Sequence, residues 1–386
     1  MPLSLKLPVA NGRTLQHYHL TGTPLAIVQQ PPVFNRIAFS AAHVVADPYG
    51  ADLASIDWER TIAYRRYLLQ QGLGIAEAMD TAQRGMGLDW PTALELVQRS
   101  LEETRDIPGA LIYSGCGTDQ LDPASASSVD DVLRAYSEQM GAIQRLDGRL
   151  ILMASRALAR VAKSPADYRR VYDKVLGEAQ HPVILHWLGE MFDPALAGYW
   201  GATEFEGALD SCLEIIHANA ANIDGIKISL LDKDKEIRLR RLLPAEVKMY
   251  TGDDFNYPEL IAGDDQGHSH ALLGIFDAIA PAASQALAAL ARGDRETYQA
   301  LLEPTLPLAR LIFSSPTQYY KTGVVFLAYL NGHQDHFVML AGHQAMRPLA
   351  YFCEIFRLAD MAGLLTEPER AVARMKAFLA PYGIHA

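Results

Sequence analysis

Eight short apolar segments, each followed by a stretch with helical character, recur along this chain. They fall at residues 37–41, 75–79, 110–113, 150–153, 183–185, 224–232, 247–250 and 267–272. Strands that alternate with helices must pair in parallel, because each crossover returns the chain to the same end of the sheet. Eight such units point to an α/β fold in which the sheet closes into a (β/α)8 TIM barrel. An open doubly wound sheet is the competing arrangement. The first strand is not followed by a GxGxxG turn, which weakens a dinucleotide-binding version of that alternative.

Capping residues mark the helices between these segments. Asp57 opens a helix that runs to Gln71 and stops at Gly72, and Asp89 opens another with Pro91 in its first turn and Leu94, Val97 and Leu101 on one face. Ser128 precedes a helix bearing Val132, Leu133, Tyr136 and Met140; Ser164-Pro165 precedes one bearing Tyr168, Val171, Tyr172 and Val175. Residues 1–32 read as an N-terminal arm, a hairpin broken at Asn11-Gly12 and Gly22 and closed off by Pro31-Pro32. Additional C-terminal helices are expected at 277–291, 294–313 and 322–330, so the chain divides into an arm (1–32), a barrel (33–313) and a helical extension (314–386). Val324 to Leu330 and Phe337 to Leu340 are apolar enough for subunit contacts in a dimer or tetramer, or for packing within one bundle.

Composition narrows the partners. A net charge of -11 opposes binding to nucleic acid or to an anionic membrane. Cys116, Cys212 and Cys353 are widely spaced and odd in number, which suits a reducing compartment and no structural metal knot. Neither a signal sequence nor an apolar run of about 18 residues is present, so the expectation is a soluble cytoplasmic protein.

The chemistry centres on Lys227, flanked by Ile226 and Ile228 in the sixth segment. Strand alternation places Gly225, Lys227 and Ser229 on one face and the isoleucines on the other. A lysine turned into the sheet is desolvated, its pKa falls, and the neutral amine can attack a carbonyl to form a Schiff base. A strand-end lysine that reaches water is the plainer reading. Active sites of such barrels lie at the C-terminal strand ends. Those ends carry His43, Asp80-Thr81-Ala82-Gln83-Arg84, Ser114-Gly115-Cys116-Gly117-Thr118-Asp119, Ser155-Arg156, His186, Ser229, Asp253-Asp254 and, on the last strand, His268 and His270. Each has a structural explanation as well: turn glycines, an Asp253 that caps the next element, inward histidine packing, an Arg156 that balances an acid.

The order of these motifs resembles the dihydrodipicolinate synthase/N-acetylneuraminate lyase superfamily of class I aldolases, at a distance, over about residues 35–330. Gly225-Ile226-Lys227-Ile228-Ser229 is similar to its Schiff-base strand. Ile56-Asp57-Trp58-Glu59, Ser114-Gly115-Cys116-Gly117-Thr118, Gly252-Asp253-Asp254 and Tyr320-Lys321-Thr322-Gly323-Val324 resemble other family segments. The long arm and histidine-rich C-terminal segment are nearest an uncharacterised dihydrodipicolinate-synthase-like group. The resemblance implies a lysine imine, a small-molecule substrate, no cofactor and a homo-oligomer. Two departures stand out. The family's carboxylate-binding turn is replaced by Asp80-Thr81-Ala82-Gln83-Arg84, where Arg84 would have to turn inward to offset the acid. The family's catalytic tyrosine is replaced by Ser155-Arg156 and His186.

The expected function is a Schiff-base lyase, an aldolase or hydro-lyase acting on a small keto or aldehyde compound of sugar-derived type. Lys227 would be the nucleophile and His186 the proton carrier. Asp80, Thr81, Gly117, Thr118, Arg156, Ser229, Asp253, Asp254 and His268 would bind substrate. A metal-dependent isomerase or hydrolase using His43, His186, Asp254, His268 and His270 is the first alternative. A non-catalytic binding protein is the second.

Overall fold

The computed structural model describes residues 3–9 and 14–385, so the expected Asn11-Gly12 turn lies outside the described residues. Strand β1 (Ser4–Pro8) pairs antiparallel with β2 (Leu15–His19). The remaining strands are β3 (Ala38–Ala41), β4 (Gly74–Glu77), β5 (Ile112–Cys116), β6 (Arg149–Leu152), β7 (Val183–Leu188), β8 (Ile223–Ser229), β9 (Lys248–Thr251) and β10 (His270–Leu273). They pair in parallel in chain order, and β10 closes on β3. With helices between the strands in sequence, this is a (β/α)8 barrel.

The helices up to the last strand are α1 (Trp58–Gln70), α2 (Trp90–Glu103), α3 (Val129–Gln144), α4 (Arg156–Val161), α5 (Pro165–Glu178), α6 (Phe205–Ala218), α7 (Lys233–Arg240) and α8 (Tyr257–Ala262). Helices α9 (Ile275–Ala278), α10 (Ala280–Ala291), α11 (Arg295–Leu302), α12 (Leu306–Ile312), α13 (Tyr320–Leu330), α14 (Leu349–Met361) and α15 (Pro368–Leu379) follow. The single helix expected at 294–313 is split into α11 and α12, because Pro304 and Pro307 each remove a backbone donor. On α2 the buried face is Trp90, Ala93, Leu96, Val97 and Ser100, rotated from the expected Leu94/Leu101 stripe.

The chain groups into two units. One holds residues 36–42 and 74–273, which contain the whole barrel sheet; the other holds 1–35, 43–73 and 274–386. These units do not follow the linear order of the chain. The reason lies in α1, whose Tyr64 Oη donates to the backbone oxygen of Asp277 at 2.8 Å and whose Arg60 pairs with Asp335 at 2.5 Å.

Inside the barrel, Phe39, Tyr113, Ile151, Ile184, Tyr250 and Leu272 form a continuous buried cluster. The Phe39 ring meets Tyr113 edge-on at 5.2 Å. Each such side chain contributes about 1.5–3 kcal/mol by burial, so the interior is a packed core. Tyr250 anchors its N-terminal end by donating to Asp224 at 2.6 Å.

In the other unit, the arm docks on α14: Tyr18 Oη and the Thr21 amide both bond Asp360, at 2.7 and 2.9 Å. Gly22 is required there, since a Cβ would fall 1.7 Å from the Asp360 carbonyl oxygen. Helix α13 is buried along its entire length, and Phe337 packs edge-on against Phe326 and Phe352. The apolar 324–330 and 337–340 segments thus pack within one chain, as a helix apolar on all sides does.

Candidate active site

One irregularity sets the register that matters. Along β7 and β8, Val183 faces Ile223 but Ile184 faces Gly225, so Asp224 is an extra residue in β8. A slip of one residue exchanges inward and outward side chains. The result pairs His186 with Lys227 and Leu188 with Ser229, and Lys227 in turn with Tyr250 of β9. Ile184 and Tyr250 belong to the interior cluster, so Lys227 and His186 share that inner face, further toward the C-terminal strand ends.

Lys227 is 8% exposed. Burial pushes its pKa below the usual 10.5, and the carboxylates of Asp254 and Asp80 pull it partly back. Room for the side chain depends on Gly252: a Cβ there would lie 2.7 Å from Lys227 Cε and 2.3 Å from Ser229 Oγ. His186 is fully buried, and burial first, then the neighbouring Lys227 charge, hold it well below the usual imidazole range. Its Nε2 lies 3.3 Å from Ser229 Oγ, and its Nδ1 meets no partner among the described residues. A neutral imidazole beside a partly desolvated amine can exchange protons with it or with a molecule bound to it.

At the C-terminal ends of β4 to β7 lies a cavity of about 170 Å³, and Asp80, Gly117, Thr118, Arg156 and His186 are in its wall. Asp80 stands at the start of a short 3-10 turn (Asp80–Ala82), and its carboxylate charge acts on Lys227. Thr118 Oγ1 lies 2.6 Å from Ser155 Oγ, which caps α4 by accepting from the Leu158 amide. Arg156 is held by Asp193 through Nε at 2.5 Å, while both Nη groups donate to nothing among the described residues. Those two groups can receive a carboxylate or a hydroxyl.

Other expected site residues are placed elsewhere. Thr81 is buried and outside the cavity wall. Ser229 and Asp254 are buried beside the pair, Ser229 through His186 and Asp254 through its charge on Lys227. Asp253 caps the following turn: its carboxylate accepts from the Phe255 and Asn256 amides and from Asn256 Nδ2. His268 precedes β10 and His270 begins it, which puts both at the N-terminal end of the barrel, opposite the cavity. The last strand starts later than its apolar pattern suggested. Ser114-Gly115-Cys116 belongs to β5 rather than to a turn, and Gly117, Thr118 and Asp119 lie beyond the strand.

Arg84 does line this cavity, but its donors are already taken. It donates to Asp119 through Nε and Nη2 at 2.7 and 2.8 Å, to Gln139 at 2.8 Å, and through Nη1 to the carbonyls of Ala78 and Gly115. All five N–H groups are used. A clamp of this kind locks the loops after β4 and β5 together. Gln139 and Asp119 were not legible as its partners, because they are separated from it in sequence by 55 and 35 residues. Tyr199, also missed, accepts from the Ser155 amide at 3.1 Å and meets Tyr172 Oη at 3.0 Å.

His43 belongs to the other unit. Its Nδ1 sits 2.8 Å from Asp277, which also accepts from Tyr64. Among the described residues no three His, Cys, Asp or Glu side chains come together as a metal-holding group, so the ligand set of the metal alternative is not assembled.

The profile of the family described as "Protein of unknown function (DUF993)" matches residues 5–384. The chain belongs to this family. No curated protein matches it by sequence. Solved structures share its fold. The chloride-inhibited dihydrodipicolinate synthase of Acinetobacter baumannii, complexed with pyruvate, superposes with a TM-score of 0.62 at 16% identity, covering 85% of this chain and 99% of that one. The synthase of Bacillus clausii gives 0.61 at 14%, covering 84% and 96%. That of Aquifex aeolicus gives 0.60 at 11%, covering 90% and 98%. This DUF993 chain thus has the same barrel fold as these synthases. Among its described residues no helix is long and apolar enough to cross a membrane.

Proposed function

We propose that this protein is a lysine-imine lyase, an aldolase or hydro-lyase, acting on a small keto or aldehyde compound. The observation that carries the reading is the pairing of a buried, pKa-lowered Lys227 with neutral His186 on one inner face, beside a polar cavity at the C-terminal strand ends. The neutral Nζ attacks the carbonyl carbon, and the carbonyl oxygen leaves as water, aided by a proton from a nearby group. The protonated imine then accepts the electron pair released when an adjacent C–C or C–O bond breaks. His186 takes or returns the proton that this step moves. Asp80 and Thr118 hold substrate hydroxyls, and the free Nη groups of Arg156 hold a carboxylate or hydroxyl. Asp254 stays near enough to tune the lysine.

That synthases of the same fold include one complexed with pyruvate supports a 2-oxo acid as the starting point. With Arg84 fully engaged, the carboxylate partner in this reading is Arg156. An imine makes the hydrogens on the neighbouring carbon exchangeable. Proton NMR in D2O should therefore show the C3 hydrogens of 2-oxobutanoate exchanging faster with the protein than without it, and Lys227→Ala should abolish the difference. Exchange that persists at the wild-type rate in Lys227→Ala would remove the imine from the mechanism.

A further inference from the structure

A second cavity of about 370 Å³, larger than the one by the lysine, lies on the outer side of β7. Alternation along this strand turns His186 and Leu188 inward and Trp187 outward. Trp187 forms a wall of the outer cavity with Phe205 of α6, their ring planes 24° apart and centroids 5.8 Å apart. Tyr199 lines it too, while its hydroxyl holds the Ser155 amide at the first cavity. The Tyr199 backbone is followed by Trp200 at φ 70°, a left-handed conformation that a bulky residue adopts only when its surroundings hold it there. Packing of the Trp200 ring on Tyr172 at 4.8 Å and Trp187 at 5.9 Å holds that turn, so the aromatic wall is pre-formed.

Two side chains, Leu188 and Leu196, line both cavities. A ligand in the first cavity, whose wall includes His186, the cross-strand neighbour of Lys227, needs only to pass this shared lip to reach the aromatic wall. The outer rim carries Glu190 and Glu204 against Lys235, which is itself paired with Asp232 at 3.3 Å. Such a rim disfavours a second anionic group and suits an uncharged one.

We propose that the outer cavity takes the far end of the substrate, and that the substrate is a 2-oxo acid or related carbonyl compound ending in an uncharged aromatic or similarly flat apolar group. This rests on the imine reading of Lys227 for the reacting end only. The probes are 4-phenyl-2-oxobutanoate and 2-oxobutanoate, which share the reacting carbonyl and carboxylate and differ by the ring. Half-saturating concentrations for borohydride trapping should favour the phenyl compound by about tenfold or more, the scale of one well-buried apolar group. Ala208→Phe and, independently, Ala202→Phe fill the outer cavity and should bring that ratio close to one. A wild-type ratio near one, or a preference that survives both fillings, overturns the proposal. If neither compound is trapped, the imine reading fails instead. Calorimetry with 4-phenylbutanoate, which has no carbonyl to react, then decides the cavity: binding lost in the filled variants supports it, and no binding to wild type overturns it.

Discussion

Replacing Gly252 with alanine tests how tightly the site is built around Lys227. The added Cβ would stand 2.3 Å from Ser229 Oγ, 2.6 Å from the Ile228 carbonyl oxygen and 2.7 Å from Lys227 Cε. The Ile228 oxygen accepts the Gly252 amide at 2.9 Å, so it cannot retreat without loosening the β8–β9 ladder. The lysine and serine side chains must move instead, and both are buried. Overpacking of this kind costs about 1–3 kcal/mol. Urea denaturation should show that loss as a lower midpoint with an unchanged slope. Gly177→Ala in α5 is the control, because nothing lies within 4 Å of its added Cβ. It should be neutral or stabilising by up to about 1 kcal/mol, the usual gain of alanine over glycine in a helix. Displacement of Lys227 Cε should also cut the yield of borohydride-trapped adduct in folded Gly252→Ala. A variant with wild-type stability and wild-type adduct yield would refute the argument that Gly252 makes room for a functional lysine.

The remaining expectations concern protons. His186→Ala should keep the trapped adduct while turnover falls by about 10²–10⁴, the usual range for a lost acid–base group; loss of adduct and turnover together would give His186 a different role. Because burial lowers the Lys227 pKa, the pH of half-maximal trapping should lie below 10.5, and Asp80→Asn should move it lower still by removing a charge that favours the ammonium form. A midpoint at or above 10.5 would contradict the burial argument. Glu236, buried between Thr251 and Ser269, has its pKa pushed up to about 8 chiefly by burial. The folded state therefore keeps a proton that the unfolded chain releases from about 4.5 upward, so stability falls as pH rises from there to about 8. Glu236→Gln cannot titrate, and its stability relative to wild type should grow between pH 5 and 8.5 in urea unfolding; a constant difference would contradict the assignment.

Much of the barrel was legible because each strand is a short apolar run and its helix carries its own cap, as with Asp57 and Asp89, whose side chains accept from Arg60 and Thr92 amides. Lys227 was legible for a related reason: alternation alone separates it from Ile226 and Ile228. Strand ends were less so. His268 looked like part of the last strand's C-terminal machinery, but the strand begins only at His270. Asp253 could not be told from a substrate ligand until its carboxylate was seen to close a turn three residues long. Long-range polar partners left no local trace. The five bonds of Arg84 reach residues from three stretches of chain, and the Asp224 slip that sets His186 opposite Lys227 has no signature in composition or period.

The central claim is that Lys227 forms an imine. It is tested most directly by incubating the protein with a panel of 2-oxo acids and aldehydes, reducing with borohydride and mapping the peptides by mass spectrometry. The account predicts a mass increase equal to the reduced carbonyl compound on the peptide carrying Lys227, and none in Lys227→Ala. An adduct on another lysine, such as buried Lys321, or no adduct with any member of the panel, would contradict it.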